Sequence, residues 1–206
     1  TVQVAANASM ALGRLFLKMK KLDSALIYAK KAHEISRHPN FQHYSGSVLL
    51  NLGRVYLATG DREQALYYIR QSIFVSEQQK YFRGVIAGNL LLSEVSVQNN
   101  RTDSGFYFLL KARRLAEQLN APALLLRCYT ALAGLYKSGN NKDSTVKYQG
   151  LIIKNKDSLF NSKQAQQFRN IDSDAEQRER EIETAKKDYR NRLQKIALIS
   201  GLVAFL

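Results

Sequence analysis

The sequence contains few of the residues that cross-link or interrupt a chain, since one cysteine and two prolines occur in 206 residues. The lone Cys128 cannot form an internal disulfide, and we expect it to be a buried, small apolar residue. Pro39 and Pro122 stand far apart, and no stretch rich in Gly, Ser or Pro divides the chain. The alternation of apolar and polar residues that is typical of β-strands is also missing. These absences predict an all-α protein.

Motifs for catalysis or nucleotide binding are absent as well. The sequence has neither a Gly-rich phosphate loop nor a G-x-S-x-G elbow, and no phosphoacceptor or ATP-binding motif of a histidine kinase. His33, His38 and His43 are five residues apart, which is the wrong spacing for two metal ligands on one helical turn. Residues 172–183 mimic a calcium loop, but Gln177 stands where the sharp turn requires glycine. We expect no enzyme activity, metal or cofactor in this chain.

A pattern of leucine, small and aromatic residues recurs four times with a period of about 40 residues. Within each unit the spacings of three and four place these residues on one helical face. The repeated positions are Leu12, Leu52, Leu92 and Leu132; Ala25, Ala65, Gly105 and Thr145; and Tyr28, Tyr68, Phe108 and Tyr148. An internal repeat of this length predicts a stacked α-solenoid, which presents a long surface for binding.

Each unit is predicted to be a helical hairpin. Polar breaks at 19–21, 59–61, 99–101 and 139–141 separate two apolar patterns. An acidic residue follows each break, where the positive end of the second helix favours a carboxylate. These acids are Asp23, Glu63, Asp103 and Asp143. The sequence thus predicts four helix–turn–helix units within residues 1–161.

The Leu-Gly, Tyr, Ala and aromatic positions resemble the tetratricopeptide repeat (TPR) over roughly residues 6–160. The period here is longer than the usual one of about 34 residues, so either the helices or the links between units must be longer. The resemblance implies a module that binds a protein or peptide. Of the five residues that clamp a terminal carboxylate in chaperone-binding relatives, only Asn51 is matched, which argues against that function.

The resemblance also implies where a ligand would lie, namely against the first helix of each unit. The inward positions in this sequence are Arg14, Lys18, Asn51, Arg54, Glu94, Gln98, Arg127 and Lys137. These side chains favour a groove for a peptide or an acidic ligand. The alternative is an ordinary hydrated groove.

The net charge of +14 restricts the classes of partner. Residues 1–161 carry +12 and residues 162–206 carry +2. A basic module could bind nucleic acid, anionic lipid or acidic protein segments. The charge is scattered and no nucleic-acid-binding signature is present, so an acidic protein partner is favoured over nucleic acid. The alternative is a solvated surface without a charged partner.

The repeat ends near Phe160, and residues 162–195 are polar, charged and free of Gly and Pro. We predict one long helix with a weak coiled-coil seam that could form a homodimer. The seam residues include Ile171, Ile182, Ala185 and Tyr189. The alternative is a single solvated helix packed on the last repeat.

Residues 196–206 carry no charge, and the chain ends within this run. A membrane span needs about 20 apolar residues, and these eleven are too few by themselves. Because the chain ends within the run, we interpret 196–206 as the start of a truncated transmembrane helix. The alternative is a hydrophobic helix end that folds back on the solenoid. Arg190, Arg192 and Lys195 precede the run, and positive charge beside a span favours the cytoplasmic side.

The order of repeats, residues 156–160 (KDSLF), a Gln/Glu/Arg-rich helix and the apolar run resembles the N-terminal half of membrane-bound sensor histidine kinases of Bacteroidetes type. This resemblance implies a single span in the bacterial inner membrane, periplasmic repeats, and a kinase beyond residue 206. The periplasmic placement opposes the one that the positive flank favours. The alternatives are a membrane-anchored scaffold and the input half of a helix-turn-helix transcriptional regulator.

Overall fold

The structure is a computed structural model that describes the backbone of residues 2–204. It describes the side chains of residues 4–38, 41–42, 44–167, 170, 173, 177–181, 183–185 and 187. A 3₁₀ segment, Pro39–Tyr44, lies between the second and third α-helices. The α-helices are α1 (Val2–Lys18), α2 (Leu22–Ser36), α3 (Ser45–Thr59), α4 (Arg62–Gln78), α5 (Phe82–Gln98), α6 (Thr102–Gln118), α7 (Pro122–Ser138) and α8 (Lys142–Ala204).

The helices pair in sequence order into four hairpins, which confirms the predicted all-α repeat. The hairpins are α1–α2, α3–α4, α5–α6, and α7 with the first part of α8, and the described backbone contains no strand. All four predicted polar breaks lie at the turns of these hairpins. The chain divides into two compact units, residues 1–156, which contain the hairpins, and residues 157–206, which are helical up to Ala204.

A residue in the left-handed conformation follows almost every helix, at regular intervals along the chain. These residues are Lys20, Gly60, Lys80, Asn100, Asn120 and Asn140. At Asn100 the N–H donates to the Val97 carbonyl at 3.0 Å, and the next N–H, of Arg101, donates to the Ser96 carbonyl at 2.9 Å. This pair of bonds is the Schellman motif, which satisfies carbonyls that would otherwise be unpaired at a helix end.

The turns at Lys80 and Asn120 join successive units, and the sequence analysis missed them. They are as short as the turns within a unit, because α4, α5, α6 and α7 are each 17 residues long and are separated by three residues. The residues beyond the usual repeat length therefore lengthen the helices rather than these links. The link through Pro39–Tyr44 is the longer one.

Small residues allow the two helices of a hairpin to pack closely. Ala25 and Ala65 have no exposed surface. A Cβ atom added to Gly53 of α3 would lie 2.8 Å from Cγ1 of Ile69 and 3.3 Å from the Ala65 carbonyl oxygen of α4, so a larger residue would force the helices apart. The predicted small positions are thus explained by the closest approach within the hairpin.

Paired aromatic rings recur at equivalent positions inside the hairpins. The ring of Tyr56 in α3 stacks on Tyr68 in α4 with a centroid distance of 5.4 Å and an interplanar angle of 1°. Equivalent stacks join Phe16 to Tyr28 at 5.4 Å and Tyr136 to Tyr148 at 5.5 Å. The stacked rings therefore join the two helices in three of the four hairpins, whereas in α5–α6 Ser96 stands opposite Phe108 in the sequence pattern.

Cys128 lies on α7 and is fully buried, which confirms the expectation of a small core residue. Burial in apolar surroundings disfavours the thiolate and raises the pKa of the Cys128 thiol to about 11. The thiol is therefore neutral at physiological pH, and a neutral, buried thiol is a poor nucleophile.

Within the part of the chain that the structure describes, no helix combines the length and apolar character needed to cross a bilayer. The predicted start of a span, 196–206, lies outside the described side chains. The same holds for Ile171, Ile182 and Tyr189 of the predicted dimer seam, whereas Ala185 is exposed.

Candidate binding groove

The first helices of the four hairpins, α1, α3, α5 and α7, pack beside one another and are here called the inner helices. They enclose an open groove of about 810 Å³, the inner groove, and every residue that lines it comes from these helices. Ligand sites in proteins commonly occupy about 300–1,000 Å³, so the volume suits a peptide segment with several side chains. The outer helices are α2, α4, α6 and residues 142–156 of α8.

Helices α5 and α7 each contribute a stripe of residues spaced by about one turn. Helix α5 presents Leu90, Glu94 and Gln98, and α7 presents Arg127, Ala131 and Leu135. Residues four apart lie above one another on the same helical face, so one stripe offers both apolar and charged contacts. The remaining lining residues are Leu17, Arg54, Leu57, Ala58, Leu91, Ser93 and Val97.

Arg54 is half-buried at the centre of the groove. Burial lowers the pKa of its guanidinium, and the positive charge of Arg127 lowers it further. Glu94 raises the pKa of Arg54, and Arg14 lowers it. Arginine is charged at every physiological pH, so these shifts report a partly desolvated cation that has two other arginines and one acid nearby. The Arg54 guanidinium makes neither a hydrogen bond nor an ion pair to another described residue, and its five N–H donors are available to a ligand.

A second, smaller cavity of about 140 Å³ continues from Arg54 and is here called the arginine pocket. Its other charged lining residues are Arg14 of α1 and Arg83 of α5, and no acidic residue lines it. Three guanidinium groups without a carboxylate attract an anion. The remaining lining residues are Met10, Ser47, Leu50, Asn51, Tyr81, Gly84 and Ala87.

Asn51 contributes a buried amide to the arginine pocket. It is 7% exposed, and its Nδ2 has no hydrogen-bond partner among the described residues. The amide faces Gly13 of α1, where an added Cβ atom would lie 3.2 Å from Nδ2. By contrast, the similarly buried Asn89 donates from Nδ2 to the Val85 carbonyl at 2.8 Å. A buried donor without an acceptor costs about 1–3 kcal/mol, so the Asn51 amide lowers the stability of the free protein.

Six of the eight groove residues that the sequence singled out line these two cavities. They are Arg14, Asn51, Arg54, Glu94, Gln98 and Arg127. Lys18 and Lys137 lie outside both cavities, and each is exposed in the last turn of its inner helix. That these residues bind a ligand stays a prediction.

Arg83 is a lining residue that the sequence analysis missed. It lies in the first turn of α5, directly after the turn at Lys80. Recognition of that turn would have placed Arg83 at the mouth of the groove. Leu90, Leu91 and Leu135 were also missed, because a leucine on an inner helix looks the same in the sequence whether it faces the core or the groove.

Comparison with known proteins supports the repeat. Residues 4–77 match the family model of the tetratricopeptide repeat. The crystal structure of BtubC (BKLC) from P. vanneervenii is similar, with a TM-score of 0.65 and 14% sequence identity over 77% of this chain. The match covers 66% of the BtubC chain, just under two thirds of its length. None of the curated proteins compared with this chain matches it. The fold is thus TPR-like, and TPR repeats are protein–protein interaction modules.

Proposed function

We propose that the inner groove binds a protein segment that combines apolar side chains with at least one carboxylate. The observation that carries this proposal is Arg54, a half-buried cation that borders both cavities and has no hydrogen-bond or ion-pair partner among the described side chains. The apolar side chains of the ligand would pack on Leu57, Val97 and Ala131, which line the groove and are partly exposed, and removal of apolar surface from water would contribute to the affinity.

The carboxylate would fix the orientation of the bound segment in the groove. Arginine forms two parallel hydrogen bonds with one carboxylate, which is a strong and geometrically defined interaction. Arg14, Arg54 and Arg83 in the arginine pocket would hold such a group. Glu94 stands in the inner groove near Arg54 and would disfavour a second acid there. The ligand would therefore place its acidic end toward α1 and its apolar part toward α7.

Selection from a random peptide library tests this proposal. We expect the full chain to enrich peptides with Asp or Glu close to two or more apolar residues. Arg54→Gln should weaken binding of a selected peptide at least about tenfold, since a hydrogen bond to a charged group contributes about 1.5–3 kcal/mol. Arg62→Gln, at an exposed position at the start of α4, is the matched control and should bind like the wild type. Peptides without acids, or equal binding by the two variants, would contradict the proposal.

We further propose that this module is the sensor region of a two-component histidine kinase. Ligand binding would alter the helix over 162–195, and the helix would pass the change to a kinase beyond residue 206. A coupling free energy of about 1–3 kcal/mol suffices for a 5–150-fold effect. The support is the resemblance of residues 156–206 to the Bacteroidetes-type sensors, in which the repeats lie on the periplasmic side of the inner membrane.

The coding frame beyond residue 206 distinguishes this proposal from its alternatives. A histidine-box helix and an ATP-binding domain would support a kinase. A stop codon shortly after an apolar segment would instead leave a membrane-anchored scaffold, and a helix-turn-helix domain would indicate a transcriptional regulator. The result does not depend on whether the groove binds an acidic segment, so the two proposals stand or fall separately.

A further inference from the structure

The third hairpin lacks the stacked pair of rings that joins the helices of the other three. In those three, an aromatic ring of the inner helix stacks on a ring of the outer helix at 5.4 or 5.5 Å. The equivalent inner position in α5 is occupied by Ser96. Phe108 of α6 keeps the outer position, so one ring of the pair is present and its stacking partner is missing.

A cavity of about 150 Å³ lies at the place of the missing ring and is here called the ring slot. Ser96 and Phe108 both line it, together with Leu66 of α4. One unit earlier, Leu26 occupies the position of Leu66, and it packs on the same apolar cluster as the Tyr56 ring. The slot is thus the space that a ring fills between the first two hairpins. The other lining residues are Arg70, Leu92, Val95, Asn99, Arg101 and Ser104.

The floor of the ring slot is apolar and its mouth is basic. Leu92 and Val95 are buried, whereas Arg70 and Arg101 are exposed. The Ser96 hydroxyl donates to the Leu92 carbonyl at 2.7 Å, so this polar group is already satisfied. Neither arginine forms an ion pair with another described residue. The described residues that line the slot include no acid, and the nearby acids of α4 and α6, Glu63 and Asp103, lie outside it.

We propose that the ring slot binds a small aromatic carboxylate. An apolar cavity of about 150 Å³ accommodates a benzene ring. The ring of the ligand would stack on Phe108, as the inner ring does in the other hairpins, and stacked rings attract each other beyond the effect of buried area. The carboxylate would pair with Arg70 and Arg101, since guanidinium groups match carboxylates in charge and geometry. The slot shares no lining residue with the inner groove, so this inference is independent of the ligand proposed there.

Three small probes separate the ring from the charge. Benzoate, benzyl alcohol and cyclohexanecarboxylate are titrated into the full chain, and binding is followed by saturation-transfer NMR. We expect benzoate to bind about two- to tenfold more tightly than cyclohexanecarboxylate, because only benzoate can stack. Benzyl alcohol should bind about fivefold more weakly than benzoate, because it has no charge. No binding at about 10 mM benzoate, which a ligand of this size reaches with ordinary efficiency, would overturn the proposal, as would equal binding of the three probes.

Ser96→Phe tests the location, because it supplies the missing ring from the protein itself. This variant should lose benzoate binding and be at least as thermally stable as the wild type. Thr130→Phe is the matched control, since Thr130 is exposed on α7 and its hydroxyl likewise donates to a carbonyl one turn earlier, that of Leu126 at 2.8 Å. The control should bind benzoate like the wild type. Unchanged benzoate binding by folded Ser96→Phe would contradict the location.

Phe108→Leu gives a second test that does not depend on filling the slot. It removes the stacking ring and keeps an apolar side chain, so the advantage of benzoate over cyclohexanecarboxylate should disappear. If the advantage persisted in folded Phe108→Leu, the ring would not stack on Phe108 and the proposal would fail.

A double charge variant tests the mouth of the slot. Arg70→Gln with Arg101→Gln should weaken benzoate binding at least about fivefold and leave benzyl alcohol binding unchanged. The matched control is Arg62→Gln with Arg114→Gln, at exposed positions of the same two helical regions that do not line the slot. Equal benzoate binding by the two double variants would contradict the role of the arginines.

Discussion

The inner and outer helices share the same turns, yet they bury different amounts of side chain. Helices α5 and α6 are both 17 residues long, but α5 buries ten residues and α6 buries four, namely Gly105, Leu109, Ala112 and Ala116. The inner helix packs against its hairpin partner and against inner helices on both sides, whereas the outer helix exposes more of its surface. The difference indicates that apolar residues have different roles on the two sets of helices. The exposed apolar side chains of the outer helices are not part of the core.

The largest expected effect is a contrast in stability between the two sets. Leu52→Ala on α3 removes a side chain that is 1% exposed, and we expect a loss of about 2–5 kcal/mol in the free energy of unfolding. Ile27→Ala on α2, at a position 64% exposed, should change it by no more than about 0.5 kcal/mol. Urea unfolding measures both. Similar losses would show that Ile27 contributes to the core as Leu52 does.

Glycine positions sharpen the same comparison. Gly53→Ala should destabilise by about 1–3 kcal/mol, because the new Cβ atom meets Ile69 and the α4 backbone. Gly150→Ala on outer helix α8 meets no atom within 4 Å and should stabilise by about 0.5–1 kcal/mol, since alanine favours the helix. The unfolding midpoints of the two variants measure both changes in stability. A stabilising Gly53→Ala would show that the inner and outer helices are less tightly packed than described.

The buried amides of the inner helices give a smaller effect. Asn89→Leu removes a hydrogen bond and leaves the Val85 carbonyl without this donor, so we expect a loss of about 1 kcal/mol. Asn51→Leu removes an amide nitrogen that has no partner among the described residues, and the unfolding free energy should stay the same or rise slightly. Equal destabilisation of the two variants would indicate that the Asn51 amide is satisfied in the free protein.

The smallest expected effect is a pH dependence on the outer side. Burial, and then the charge of Arg37, lowers the pKa of His33 below its usual 6.5. As the pH falls below 6.5, the unfolded chain binds a proton that folded His33 resists, so His33 contributes stability above that pH and loses it on acidification. His33→Gln should therefore show a slightly smaller decrease in stability between pH 7 and pH 5 than the wild type. If the stability of the variant and of the wild type changed with pH in the same way, His33 would not contribute to the pH dependence.

The repeat was predictable from the sequence because the residues that recur in it are the ones that helix packing requires. Gly53 and Ala65 mark the closest approach of two helices, and Tyr68 stacks on Tyr56, so their spacing fixes the hairpin. The turns at Lys80 and Asn120 escaped because lysine and asparagine are common on surfaces and the pattern repeats once per hairpin, not once per helix. Glycine is the clearest sign of a left-handed residue, as at Gly60, and asparagine is a weaker one, as at Asn100.

The groove was only partly predictable for a different reason. Arg54 and Arg127 could be assigned to it because the resemblance to the tetratricopeptide repeat implies which positions of the first helices face inward. Leu90 and Leu135 could not, because the choice between core and groove depends on how successive hairpins are inclined. That inclination is a sum of many small packing contacts and has no local signature.

Residues from all four inner helices line the inner groove. In a repeat protein each unit is stabilised mainly by its immediate neighbours, so unfolding can begin at one end and proceed unit by unit. A ligand that touched α1, α3, α5 and α7 together would link units that are distant in the sequence. Such a ligand would suppress fraying from the ends, and its binding would be visible as a steeper unfolding transition as well as a higher midpoint.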